Sequence, residues 1–384
     1  MKPLQGFRIV SVEQYAAGPY GSMLLAGLGA EVIKIENAAS GGDPARYTGP
    51  HLLGPADSQY FQTWNLGKKS VTLDLKAAEG RRQFERLAAS ADAVVNNLRG
   101  DQAAKLGLDY ATLGKLKREL VCLHITAYGR DNERASRPGY DYMMQAESGM
   151  MSLTGEPGGP PSRTGGPSMI DYSTGLTAMT GLLAAMLGAG RSGQGCDVDV
   201  CLHDVALHQL GYVATWFLNT GEVQTQQPRS GHFSVAPVQT VPTADGWIFI
   251  MCMTQRFWEA MLEALGRQDL QADPRFCDNA ARFRHRDALT EALDAVFLQH
   301  PSQHWLDLLS GLLPVAPVHD IGQALTTPFV QATGMVQTAT HSQGDLRVMA
   351  SPIKINGERA RLPACSPLGA DNDTVLGALA AVES

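Results

Sequence analysis

In its first third the chain alternates between short β-branched runs and stretches of helical periodicity, and nothing else limits its fold so strongly. Arg8–Glu13 (RIVSVE) is a strand candidate, followed by a turn at Gly18-Pro19 and a helix over Tyr20–Gly29. Glu31–Glu36 (EVIKIE) reads as the next strand. Beyond a loop rich in Gly, Pro and Tyr come a strand at VTLDL (71–75), a helix over Glu79–Ala91, and strands at AVVNNL and VCLHITAYG. This alternation predicts an α/β fold: a Rossmann-like large domain whose parallel sheet carries helices on both faces.

Further along, the small apolar residues of Ser173–Leu187 predict a buried, closely packed helix. The strand DVDVCL and a helix over His203–Leu218 follow. After Asn219 the composition turns polar (TGEVQTQQPRSGH), and 219–232 reads as a solvated linker. VQTVPTADGWIFIMCM predicts a hairpin turning at Asp245-Gly246. With amphipathic helices over Arg256–Leu265, Arg284–Gln299 and Ser302–Leu312, it forms a smaller α+β domain, 233–325. A return linker (326–343) leads to 344–384, which rejoins 1–218 in the large domain. A chain of 384 residues suits two domains.

Several function classes are disfavoured. A net charge of −7 argues against nucleic acid as the main partner. The six cysteines lack C-x-x-C or zinc spacing, so reduced thiols and no metal site are expected. No uninterrupted apolar run nears the ~18–20 residues of a membrane helix, and MKPLQGFRIV lacks a signal-like apolar region. The expectation is a cytoplasmic protein with no membrane partner.

Three constellations could carry chemistry. Gly18-x-x-Gly21 opens the first helix, which fits either a nucleotide phosphate site or glycines needed for close packing; NAD is not supported. A set of basic and amide residues (Lys34, Arg46, Lys68, Lys69, Lys76, Asn97, Arg99, Lys105, Arg137) suits a ligand with several phosphates. Asp171, in PSMIDYSTG after a Gly/Pro-rich run, is either a helix N-cap or a reactive carboxylate kept ionised by the helix dipole. Local pattern leaves both readings open.

In order along the chain, AAGPYGSMLLAGLGAEVIKIE, WNLGKKSVTLDLK, NNLRGDQAAKLGLDY, RPGYDYMMQAESGMMSLTGEP, IDYSTGLTAMTGLLAAM, GQGCDVDVCLHDVAL and SPLGADNDTVL resemble the class III CoA-transferase family. That family also holds formyl-CoA and carnitine CoA-transferases and the α-methylacyl-CoA racemases. The resemblance implies an interlocked homodimer of ring-like subunits, with no permanently bound cofactor and with acyl-CoA and small carboxylic acids as substrates. It places the catalytic aspartate at Asp171, working through covalent aspartyl intermediates. CoA contacts fall on Ala17, Leu73, Asp74, Leu75, Lys76, Asn97, Leu98, Lys105, Arg137, Tyr140 and the rest of the Pro138–Asp141 segment.

Departures from the family pattern are Ala16 where some members carry Gln, Asn37 where some carry Arg, and MCMTQRFW in place of a glycine-rich loop. Racemases carry His where this chain has Tyr140. A phenol with an ordinary pKa near ~10 is a poor base at neutral pH, which favours the transferase. The segment YDYMMQAESGMMSLTGEP resembles members that handle C4–C6 dicarboxylates such as succinate, glutarate, mesaconate or itaconate. Arg163, Arg229 and His232 are candidates for a distal carboxylate, and the Gly/Pro-rich run at 155–167 for a shield against water. An intramolecular transfer between the two carboxylates of a mesaconyl-type acyl-CoA would leave the same sequence signature.

Overall fold

The computed structural model describes residues Met1–Ala381. Six strands form one fully parallel sheet: β1 (Arg8–Val12), β2 (Glu31–Glu36), β3 (Lys69–Thr72), β4 (Ala93–Asn96), β5 (Val121–Thr126) and β6 (Asp197–Cys201). Their spatial order is β3-β2-β1-β4-β5-β6. Every residue of β4 and β5 is buried, as strands covered on both faces require. The order reverses between β1 and β4, so the segments leaving these two strands diverge and open a crevice at the carboxyl edge of the sheet.

The helices of this part are α1 (Ala17–Gly27), α2 (Gln59–Asn65), α3 (Ala78–Ser90), α4 (Ala103–Leu106), α5 (Tyr110–Leu113), α6 (Asp141–Glu147), α7 (Met169–Ser192) and α8 (Leu202–His208). Helices α1 and α7 approach until their backbones nearly touch. A Cβ on Gly175 would lie 2.7 Å from the Ala17 carbonyl oxygen, and one on Gly21 would lie 2.8 Å from Met179. The glycines of the Gly18-x-x-Gly21 signal are therefore packing residues.

By length and composition alone α7 could cross a membrane. Here it packs on α1 and along β5 and β6. It also departs from the expected fully buried helix. Thr174, Ala178 and Leu182 face inward, whereas Leu176 and Leu187 are about half and two-thirds exposed.

The chain divides into two compact units. The first holds 1–148, 165–211 and the chain from Pro328 onward; the second holds 149–164 and 212–327. The division differs from the sequence reading in two places. The expected helix over 203–218 breaks at Gly211 (φ 55°), and the residues after it count with the second unit. The expected linker 219–232 is built into that unit. Gln226 Nε2 donates to the Thr154 carbonyl (2.9 Å), and Arg229 pairs with Asp294 (2.6 Å). Gln226 and Arg229 thus tie part of the segment into the unit, while 219–223 stay exposed.

Within the first unit the tail returns to cover β3, an edge strand. Asp371 and Asn372 accept from the amides of Ser70 and Thr72, each at 2.8 Å. Side chains from some 300 residues away thus occupy donors that an exposed edge would offer to another strand. The supposed return linker contributes the helix Pro328–Thr333 and a strand, Val336–Ala339, paired with Leu346–Met349.

The second unit carries the predicted hairpin, Val238–Pro242 against Trp247–Met251, extended by Val315–Pro317 into an antiparallel three-stranded sheet. Asp245 in the turn accepts from the Ser302 amide (2.7 Å), capping the helix Ser302–Leu309. The core of this unit gathers Trp258, Leu262, Phe276, Leu293, Phe297 and Trp305.

Candidate active site

The crevice between β1 and β4 is lined by residues of the first unit alone. Gln14 to Ala17 follow β1, Asn97 to Arg99 follow β4, Ile125 to Ala127 end β5, and Arg137 to Tyr140 precede α6; Asp171 and Leu202 complete the wall. The two divergent loops are tied together across the switch point. Asn97 Oδ1 accepts from the Gln14 amide (2.9 Å) and its Nδ2 donates to the Gln14 carbonyl (2.7 Å). Tyr15 holds a left-handed backbone (φ 60°). Its amide donates to Asp43 (3.1 Å), and its ring meets Tyr140 edge-on at 5.7 Å between centroids.

Of the sequence-assigned site residues, Asp171, Ala17, Asn97, Leu98, Arg137 and Tyr140 come together around this one crevice. Leu73, Asp74, Leu75 and Lys76 stand apart from that wall. They follow β3, two strands from β1, or roughly 10 Å along the same sheet edge. Leu73 and Leu75 pack into the core around Val71 and Phe84, whereas Asp74 and Lys76 are exposed. Lys105, on α4, is exposed and paired with Asp101 at 2.7 Å.

Three members of the basic set are corrected. Lys34, Arg46 and Lys68 are fully buried and hold acidic partners, so they present no charge to a phosphate ligand. Lys34 pairs with Asp43 (2.9 Å), Lys68 with Glu13 (2.8 Å), and Arg46 grips Glu36 through two nitrogens (2.8 and 2.7 Å) while lying over the Phe61 ring. The Arg46 fork and its neighbours pull the Glu36 carboxyl down to about 2 against the effect of burial. Burial takes the Lys68 ammonium down to about 8. Since Asp43 holds both Lys34 and the Tyr15 amide, this charged layer supports the β1 loop from below.

Asp171 behaves differently from either reading of its sequence. The helix begins at Met169, two residues earlier than Asp171, so the carboxylate sits in the first turn and is not the N-cap. Ser168, at the cap position with φ 54°, makes no side-chain cap bond. The cap comes from another element: Asp141, buried at the start of α6, turns its Oδ2 to the amides of Ile170 and Asp171 (2.5 and 3.1 Å). Gln145 Nε2 fixes the other Asp141 oxygen at 2.6 Å.

Asp171 is thus deprived of the amides that would have kept it ionised. Burial first, and then the Asp141 charge, push its carboxyl up to about 7, with Ser168 pulling weakly the other way. The next residue, Tyr172, packs against Tyr20 and Trp64, with ring centroids 4.5 and 4.9 Å apart. Burial raises the Tyr172 hydroxyl to about 12. A carboxylate that lacks strong donors and opens onto a crevice can act as a nucleophile or as a proton acceptor.

A family model described as CoA-transferase family III matches residues 4–372. The chain belongs to that family. Among relatives of this CoA-transferase chain, the succinate–glutarate CoA-transferase of Agrobacterium fabrum is 32% identical over 389 residues, covering 99% of this chain and 96% of the relative. The acetyl-CoA:oxalate CoA-transferase of Acetobacter aceti is 32% identical over 356 residues, covering 92% and 90%. A crystal structure of a CAIB/BAIF family protein from Brucella suis superposes with a TM-score of 0.85 at 32% identity, over 98% of this chain and 99% of that one. The chain is therefore an enzyme of the CoA-transferase class.

Sequence reasoning missed Asp141 as the partner of Asp171, and it missed Gln14 and Tyr15 as part of the wall. An acidic residue next to Tyr140 was the available signal, but its target lies 30 residues further on. The candidates for a distal carboxylate fare less well. Arg229 is already paired with Asp294 and stacked on Trp247 (4.9 Å), and His232 stacks on Tyr212. Among the described residues no group of three or more His, Cys, Asp or Glu side chains could hold a metal ion, and all six cysteines there are free.

Proposed function

We propose that this enzyme moves CoA from an acyl-CoA thioester to a free C4–C6 dicarboxylate through covalent intermediates on Asp171. The observation that carries the reading is a half-buried carboxylate in the switch-point crevice whose capping duty has passed to Asp141. A carboxylate free of that duty can form bonds to carbon.

The reaction runs as two balanced exchanges. An Asp171 oxygen attacks the donor thioester carbonyl, the C–S bond breaks, and CoA leaves as thiolate, giving an acyl–aspartyl anhydride. The thiolate attacks the aspartyl carbonyl, releasing the donor acid and leaving an aspartyl-CoA thioester. The acceptor carboxylate displaces the thiolate from Asp171 to form a second anhydride. The thiolate then attacks the acceptor carbonyl and regenerates the carboxylate. Each intermediate keeps the activation of the thioester, provided water is kept away.

The CoA chain would run from the crevice along the sheet edge toward Leu73–Lys76, with Arg137 and Lys105 near its phosphates. The exposed apolar face of α7 at Leu176 and Leu187 supports burial against a second copy, in keeping with the interlocked homodimer that the resemblance implies.

The test is a matrix of acyl-CoA donors and free diacids with identification of the CoA ester formed. Transfer to at least one dicarboxylate, lost in Asp171→Asn, is the expected result. Incorporation of solvent deuterium at the α-carbon of a methylacyl-CoA without acyl exchange would support the racemase in its place.

A further inference from the structure

We infer that Asp141 is a positioning residue that drives acylation: it takes the α7 amides away from Asp171 and sets a second negative charge beside it, a charge conflict that ends when Asp171 is acylated. The inference rests on Asp171 being the nucleophile.

The geometry carries the argument. The first amides of a helix are its strongest anion-binding donors, and the dipole adds to them. Were Asp171 to hold them, its carboxylate would be stabilised as an ion and become a poor nucleophile. Asp141 occupies them instead, reaching from α6 to the amides of Ile170 and of Asp171 itself. Its other oxygen is fixed by Gln145, so the carboxylate has little freedom to turn away. The two acids are thus locked through the backbone of one of them.

The remaining titratable and charged groups around Asp171 do not relieve the conflict. Tyr15, Arg99, Arg137 and Tyr140 line the crevice, and Tyr20, Tyr60 and Tyr172 stand on α1, α2 and α7. The arginines are exposed at the outer wall, and no ion pair to Asp171 forms among the described residues. When the Asp171 oxygen forms its bond to the acyl carbon and the sulfur departs as thiolate, the negative charge leaves the aspartate. The repulsion from Asp141 leaves with it. The free enzyme is raised relative to the acyl-enzyme without any contact to substrate.

The test is single-turnover formation of the acyl adduct on Asp171, followed by mass spectrometry across pH 5 to 9 in the dimeric enzyme. Asp141→Asn keeps an oxygen for the two amides and removes the charge. It should move the acid limb of adduct formation down by roughly one pH unit and slow the rate on the alkaline plateau several-fold. Asp141→Glu, which keeps the charge, should hold the limb near its parent position.

A limb that stays in place in Asp141→Asn, with the adduct still on Asp171, overturns the inference and leaves the nucleophile intact. No adduct on Asp171 in the parent enzyme overturns both. Should Asp141→Asn fail to fold, Asp141→Ser carries the same test. Unfolding of both would reduce Asp141 to a structural cap and overturn the charge role.

Discussion

Two charge clusters lie at the same sheet edge and have opposite characters. Beneath the β1 loop, Glu13, Glu36 and Asp43 alternate with Lys34, Arg46 and Lys68, each carboxylate facing a cation at 2.7–2.9 Å. At the start of α7, Asp171 faces another carboxylate, Asp141, which holds the amides of Ile170 and Asp171. Burial penalises charge in both places. What differs is the neighbour: cations hold Glu36 down to about 2, whereas burial and Asp141 push Asp171 up to about 7. In one cluster every carboxylate has a cation; in the other Asp171 has none among the described residues, and it is the group proposed to react.

That contrast can be broken most sharply at its reactive end. Asp171→Ala should lower transfer by at least about a thousandfold with the fold unchanged, checked by steady-state rates beside circular dichroism. Glu36→Gln should do the reverse, leaving Arg46 buried without its counter-charge. About 3–5 kcal/mol of stability should be lost in a denaturant titration.

The pH dependence of stability separates the clusters by sign. Asp171 has a higher pKa folded than unfolded, so ionising it costs stability as pH rises from about 4 to about 7. Asp171→Asn should remove that loss and melt above the parent at pH 8, by an amount on the order of 2–4 kcal/mol. Glu36, depressed in the fold, contributes stability that is full above its unfolded value of 4.5 and fades as pH falls toward about 2. Parallel melts from pH 3 to 9 check both signs.

Smaller effects test what holds the clusters in place. Gly175→Ala sets a methyl against the Ala17 carbonyl, and forcing α1 from α7 should cost about 1–3 kcal/mol and raise the apparent KM for acyl-CoA. Lys105→Ala loses only an exposed pair with Asp101. Its stability should stay within about 0.5 kcal/mol, and any rise in KM for acyl-CoA reports a phosphate contact.

The same contrast explains what could be read from the chain. Strands β1, β2, β4 and β5 were legible because their apolar β-branched runs need no distant partner to be recognised. VTLDL was placed too late: pairing stops at Thr72, where Leu73 turns into the core. The helix Gln59–Asn65 hid in a Gly/Pro/Tyr-rich loop, although Ser58, which accepts from the Phe61 amide at 3.0 Å, is a local cap signal.

Charge was harder to read. Lys68 looked like a phosphate ligand because its partner is remote, Glu13 lying 55 residues before it. Arg46 and Lys34 looked so because Glu36 and Asp43, though near in sequence, meet them only once the loop after β2 folds back. The position of Asp171 on the crevice wall agrees with the sequence reading, but its environment was not legible. Whether an acid caps a helix or is displaced from that duty depends on Asp141, which only the fold brings near.

The most direct measurement follows oxygen atoms. When a heavy-oxygen-labelled acceptor carboxylate turns over, the anhydride route passes one of its oxygens to the enzyme. The peptide containing Asp171 should gain label, reaching both carboxylate oxygens after repeated cycles in each direction. Turnover with Asp171 unlabelled, or with label on another side chain, would contradict the account.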